Sequence, residues 1–187
     1  MNQPTWIALG SNLGDRAAIL RDAVVRLKTA GLPPVRYSHL YETRPEHGRD
    51  EPAYLNAVVQ SESAESPLEI LQALLRIEAE LGRDLEERGG SRTCDLDLLA
   101  VGDLTLAQAE LTLPHPRMSR RPFVLVPLCE IDPRWTFPGT TDTAADLLSA
   151  LPYSTGEVMI HSSLVLPGPE GSESLLDRIP AEGRVEG

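Results

Sequence analysis

Lysine is nearly missing from this chain. Lys28 is the only one, and the other basic residues are arginines. Aromatic residues are also scarce, at 4%. A Tyr, Trp or Phe beside a polar motif is therefore worth weighing, although core packing is its ordinary use. Cysteine is limited to Cys94 and Cys129, with no C-x-x-C spacing. That excludes both a disulfide framework and a cysteine-based zinc site. No excess of positive charge exists: the formal net charge is -11, which excludes the broad basic face that nucleic-acid binding needs. No apolar run reaches the length of a membrane span, and the N-terminus lacks the basic-then-apolar pattern of a signal peptide. The expectation is a cytoplasmic protein with no membrane or nucleic-acid partner.

What is present is enough apolar residue, 41% of 187, for one packed domain. Thr5 to Leu9 reads as a buried strand ending at Gly10. From Asp15 to Ala30, the residues Ile19, Leu20, Ala23, Val24 and Leu27 fall on one helical face, and Gly31 closes the helix. Val35 to Thr43 and Leu55 to Ser61 read as strands. Ser66-Pro67-Leu68-Glu69 is a capping-box helix start, with an apolar face of Leu68, Leu71, Leu74, Leu75 and Ile77. Cys94 to Val101 alternates as a strand. Pro122 to Glu130 and Thr143 to Leu151 read as short helices. Strands alternating with helices place the fold in the α/β or α+β class. From residue 155 onward Gly, Ser, Pro and Glu dominate, so the expected division is a domain over 1–154 and an acidic tail over 155–187.

Four segments carry chemistry. In Arg92-Thr93-Cys94-Asp95-Leu96-Asp97, strand geometry puts Asp95 and Asp97 on one face, with α-carbons about 6.6 Å apart. Two carboxylates so close repel unless a cation sits between them, and magnesium with phosphate oxygens is the natural filler. Solvated acids on an exposed strand are the plainer reading. The nearby arginines favour the metal, since seven guanidinium groups from Arg76 to Arg121 suit phosphate oxygens. In the second segment, Pro114-His115-Pro116-Arg117 through Arg121-Pro122-Phe123, His115 and Arg121 offer donors and Phe123 a flat face. The third, Gly10-Ser11-Asn12-Leu13-Gly14-Asp15, lacks the Gly-Lys-Ser/Thr of a P-loop and reads as a strand-to-helix turn capped by Asn12 or Asp15. In the fourth, Thr43-Arg44-Pro45 and Tyr54-Leu55-Asn56, Tyr54 suits stacking and Asn56 suits a heteroaromatic edge.

Together, in this order and spacing from about Ile7 to Pro138, these segments resemble the hydroxymethyl-dihydropterin pyrophosphokinases. The resemblance implies a ferredoxin-like sandwich with a mainly antiparallel sheet and loops over the site. It implies transfer of diphosphate from ATP to 6-hydroxymethyl-7,8-dihydropterin in folate biosynthesis, by a monomer acting on these two small molecules. Asp95 and Asp97 would hold two magnesium ions, with Arg83 and Arg92 completing the catalytic group. Glu78, Arg88, Arg92, Leu98, Thr112, His115 and Arg121 would contact ATP. Asn12, Thr43, Pro45, Tyr54, Asn56, Asp95 and Phe123 would contact the pterin. The segment between Arg83 and Arg92 departs from the family pattern: it is one residue shorter than the best-known form, and Gly89 stands where tryptophan is often found. Two other readings remain beside this one: a pterin-binding relative without catalysis, and an unrelated magnesium-dependent phosphohydrolase.

Overall fold

The structure, a computed structural model, describes residues 2–45, 51–83, 90–153 and 156–162. The chain runs β1 (Gln3–Ser11), α1 (Arg16–Thr29), β2 (Pro34–Tyr37), β3 (Leu40–Thr43), β4 (Tyr54–Ser63), α2 (Pro67–Glu80) and β5 (Asp95–Val101). A short hairpin follows, β6 (Leu106–Ala107) with β7 (Thr112–Leu113). Then come a 3-10 turn at Met118–Arg120, α3 (Pro122–Ile131), α4 (Ala144–Ser149) and β8 (Val158–Ser162). The main sheet has the order β5-β1-β4-β3-β8, with β2 also pairing β4, and its pairs are antiparallel. From β1 to β5, with β2 and β3 together taking one strand position beside β4, this is a βαββαβ unit with its last strand beside its first, the ferredoxin-like arrangement.

Local chemistry accounts for the element ends. Asp15 caps α1 by accepting from the Ala18 amide at 3.0 Å. At the other end Gly31 takes φ +82, and the Leu32 amide donates back to the Leu27 carbonyl at 2.9 Å. That crossed pattern needs a left-handed residue, which glycine supplies without strain. Ser66 and Glu69 form the expected capping box of α2. The same box, Thr143 with Asp146, starts α4.

Helices cover both faces of the sheet. Leu20, Ala23, Val24 and Leu27 of α1 and Ile70, Ala73, Leu74 and Ile77 of α2 pack on Ile7, Leu9, Leu96 and Leu98. On the opposite face Val124 and Leu128 of α3 and Ala144 of α4 pack on Trp6, Val58 and Leu99. Strands buried on both sides read as nearly continuous apolar runs, which is why β1 lacks a clean alternation.

Four sequence expectations change. The stretch from Val35 to Thr43 is two strands, because Ser38 turns its side chain back to the Val58 amide at 3.0 Å. The inward face of α2 is Ile70, Ala73, Leu74 and Ile77, whereas Leu68 and Leu75 are exposed; leucine spacing alone did not separate two neighbouring apolar stripes. The hairpin β6–β7 lies where no strand was expected. Residues 158–162, assigned by composition to the tail, pair with β3 as the edge strand. Residues 163–187 lie outside the described residues.

Candidate active site

Strand register builds the site. Gly10 of β1 pairs with Asn56 of β4 on one side and with Asp95 of β5 on the other. Tyr41 of β3 lies opposite Asn56, and Thr43 opposite Tyr54. Residues two apart share a face. Thr43, Tyr54, Asn56, Gly10, Asp95 and Asp97 therefore present one patch at one end of the sheet. The absence of a side chain at Gly10 keeps the row open. A Cβ there would lie 3.3 Å from Asn56 Oδ1 and 3.7 Å from Asp95 Cβ.

The N-terminal end of α3 closes this patch from above. It supplies Arg121 and Phe123, and the Arg121 guanidinium lies 5.2 Å from the centre of the Phe123 ring. These residues enclose a cavity of about 600 Å³, also lined by Glu78, Arg83 and Arg92. A smaller cavity of about 270 Å³ adjoins it, lined by Leu98, Leu111, Thr112, His115 and Glu110. Leu71, Leu96 and Asp97 line both. A cavity of this size is ample for a bicyclic heterocycle with a polyphosphate arm.

Asp95 and Glu78 are both ion-paired within the larger cavity. Asp95 Oδ1 accepts from Arg83 Nη1 at 2.7 Å and from Arg92 Nη1 at 2.9 Å. Arg83 also pairs with Glu78, which is 1% exposed and accepts from the Leu96 amide at 2.6 Å. Burial pushes the Glu78 carboxyl up to about 7, against the pull of that amide and of Arg83. Asp97 has looser partners: Arg121 Nη1 at 3.6 Å and His115 Nε2 at 4.0 Å. Burial and the neighbouring charge of Asp95 raise its carboxyl. Burial lowers His115, against the pull of Asp97. The aromatic and amide end is also built: Asn56 Nδ2 donates to Thr43 Oγ1 at 2.7 Å, and Tyr54 Oη donates to the Gly90 carbonyl at 3.1 Å.

Two expected contacts do not line either cavity. Pro45 is one. Asn12 is the other, 2% exposed, with its amide group turned to the backbone of neighbouring segments. It follows directly on β1, where loop carbonyls and amides surround it. Arg88, and with it the middle of the segment between Arg83 and Arg92, lies outside the described residues. The cavity also brings in Arg44, Arg117 and Leu75, to which no substrate contact had been assigned. Arg117 belongs to the run of guanidinium groups already noted, but the order of residues does not reveal which of those arginines face inward.

Against known proteins, the model of the family described as 7,8-dihydro-6-hydroxymethylpterin-pyrophosphokinase matches residues 6–133. A 2-amino-4-hydroxy-6-hydroxymethyldihydropteridine pyrophosphokinase of Synechocystis sp. is 44% identical over 143 residues, covering 76% of this chain and 73% of that protein. The protein of the same name from Bacillus subtilis is 44% identical over 132 residues, with 70% and 79% covered. Among solved structures, a Plasmodium falciparum HPPK-DHPS superposes with a TM-score of 0.67 at 14% identity, over 80% of this chain. This chain spans 43% of that longer protein, and the likeness bears on the fold alone.

Proposed function

The chain belongs to the hydroxymethyl-dihydropterin pyrophosphokinase family, and from that premise we propose how its own residues transfer diphosphate from ATP to 6-hydroxymethyl-7,8-dihydropterin, releasing AMP in folate biosynthesis. One observation carries the reading. A carboxylate pair flanked by guanidinium groups and an aromatic-and-amide patch line the same cavity.

Tyr54 and Phe123 hold the pterin ring between their faces, a contact worth about 0.5–1.5 kcal/mol beyond buried area. Asn56, fixed by its bond to Thr43, reads the ring edge. The adenine of ATP takes the smaller cavity beside Leu98 and Thr112, and the phosphates run past His115 and Arg121 towards Arg92 and Arg83. The hydroxymethyl oxygen then faces the β-phosphorus, from which AMP leaves. Phosphoryl transfer depends on alignment and on neutralising charge more than on covalent help. The arginines neutralise developing charge, and burial keeps the site poor in water.

Asp95 and Asp97 fit a pair of magnesium ions. They share a face, and a cation would offset both the burial and the neighbouring Asp95 charge that raise Asp97. Among the described residues no third His, Cys, Asp or Glu joins them, so the other ligands of such ions would be phosphate and water oxygens. Bound magnesium supplies charge neutralisation on the polyphosphate and lowers the pKa of the attacking hydroxyl.

The protein acts as a cytoplasmic monomer in this reading. Among the described residues, no helix is long and apolar enough to cross a membrane. The catalytic unit in this reading includes β8 and so reaches at least to residue 162. The test is to mix the protein with ATP, magnesium and the pterin alcohol and detect AMP. AMP that appears only when the pterin alcohol is present is the expected result. Phosphate release without pterin, or pterin binding without AMP, would overturn the reading.

A further inference from the structure

We propose that Asn12 is a positioning residue that keeps the phosphate side and the pterin side of the cavity in one register; this rests on the function proposed above. Asn12 uses every polar atom of its side chain. Its Oδ1 accepts from the Arg92 amide at 2.6 Å, while its own amide donates to the Arg92 carbonyl at 3.1 Å. This two-bond ring continues the β1–β5 pairing past Asp95, where the strand ladder stops. Its Nδ2 donates to Ser91 Oγ at 3.1 Å and to the Pro52 carbonyl at 3.3 Å. One side chain thus joins β1 to two segments that are 40 residues apart in the chain.

Each segment carries part of the machinery. Arg92 reaches Asp95 and donates through Nε to the Gly90 carbonyl at 3.3 Å. Pro52 lies two residues before Tyr54, whose hydroxyl donates to the same Gly90 carbonyl. A shift of Asn12 therefore moves the arginine and the stacking ring relative to each other. Only an amide serves here, because a carboxylate lacks the donors and an aliphatic side chain lacks both functions. Asn12 lines neither cavity, so it acts through Arg92 and Tyr54.

Two variants test this in steady-state kinetics with both substrates varied. Asn12→Asp keeps an oxygen for the Arg92 amide but places a carboxylate against the Pro52 carbonyl. It should raise the KM for the pterin alcohol about tenfold with a smaller fall in kcat. Asn12→Ala also releases Arg92 and should lower kcat by about ten- to hundredfold. The folded fraction of each is measured by circular dichroism, so that rates refer to folded protein. If Asn12→Ala does not fold, the near-isosteric Asn12→Asp carries the test. Values of kcat and both KM within twofold of wild type in folded Asn12→Asp protein would overturn the proposal. So would equal losses in the two variants that track only the loss of folded protein. Wild-type protein that forms no AMP in this assay overturns the functional reading, and the positioning role with it.

Discussion

Asp95 and Asp97 occupy equivalent positions on β5 yet sit in different surroundings. Two guanidinium groups hold Asp95 at hydrogen-bonding distance, whereas Asp97 has the Arg121 guanidinium at 3.6 Å and the His115 ring at 4.0 Å. Replacing Asp97 with Asn removes a carboxylate that burial and Asp95 already disfavour. AMP formation should fall at least about a hundredfold, as for loss of a group that stabilises transition-state charge. The melting temperature should stay level or rise. Activity above a tenth of wild type, measured by AMP release, would contradict the role given to this residue. Glu78 makes a separate prediction. Its folded carboxyl is raised to about 7, above the unfolded value near 4.5. The folded state therefore binds more protons than the unfolded one between these values. Stability is greatest below about pH 4.5 from this group and is lost as pH rises to about 7, by an amount on the order of 3 kcal/mol. Urea midpoints measured across that range should show this slope for wild type. The loss of stability across this range should lessen by about that amount in Glu78→Gln, where an amide oxygen still accepts from Leu96.

At the scale of elements, α3 matters because its first turn delivers Arg121 and Phe123. Its far end is tied to the sheet by Glu130, which accepts from Tyr41 Oη and from the His39 amide, both at 2.9 Å. Tyr41 is 6% exposed, and burial with the Glu130 contact raises its phenol. Tyr41→Phe removes a hydrogen bond to a charged acceptor and should cost about 1.5–3 kcal/mol. A thermal or denaturant melt reads that loss. The KM for the pterin alcohol should change by less than about threefold, because the helix remains packed through Val124 and Leu128. A capping box made the start of α2 readable from residue order alone, because Ser66 and Glu69 act within one turn, whereas the equivalent box of Thr143 with Asp146 came to light only in the structure. The inward stripe of α2 was less readable. Leucines at 68, 71 and 75 and the core residues at 70, 74 and 77 form adjacent rows, and only the partner surface selects between them.

For the whole molecule, β8 shows that the folded unit extends at least to residue 162. Val158 is 8% exposed and lies opposite Thr43 in the β3–β8 pairing, and Thr43 bonds to Asn56 in the cavity. A chain ending at 162 should form AMP at the wild-type rate. A chain ending at 157 should melt several degrees lower and bind the pterin alcohol more weakly, since β3 then becomes an edge. Comparing the two truncations by melting and by AMP assay checks this, and equal behaviour would show that β8 contributes nothing to the site.

Residue order alone determined the chemistry on offer: a carboxylate pair two residues apart, a run of arginines without lysine, and aromatic and amide residues at fixed spacing. These features act over a few residues, through strand alternation and side-chain type, so they survive without a fold. Tertiary structure decided which groups meet. Gly10 brings Asn56 and Asp95 into one row, although they are 39 positions apart in the chain. It also turned Asn12 away from the cavity and into the backbone of two loops, and drew residues 158–162 into the sheet. Such outcomes depend on strand register and burial between distant segments, and no local pattern encodes them.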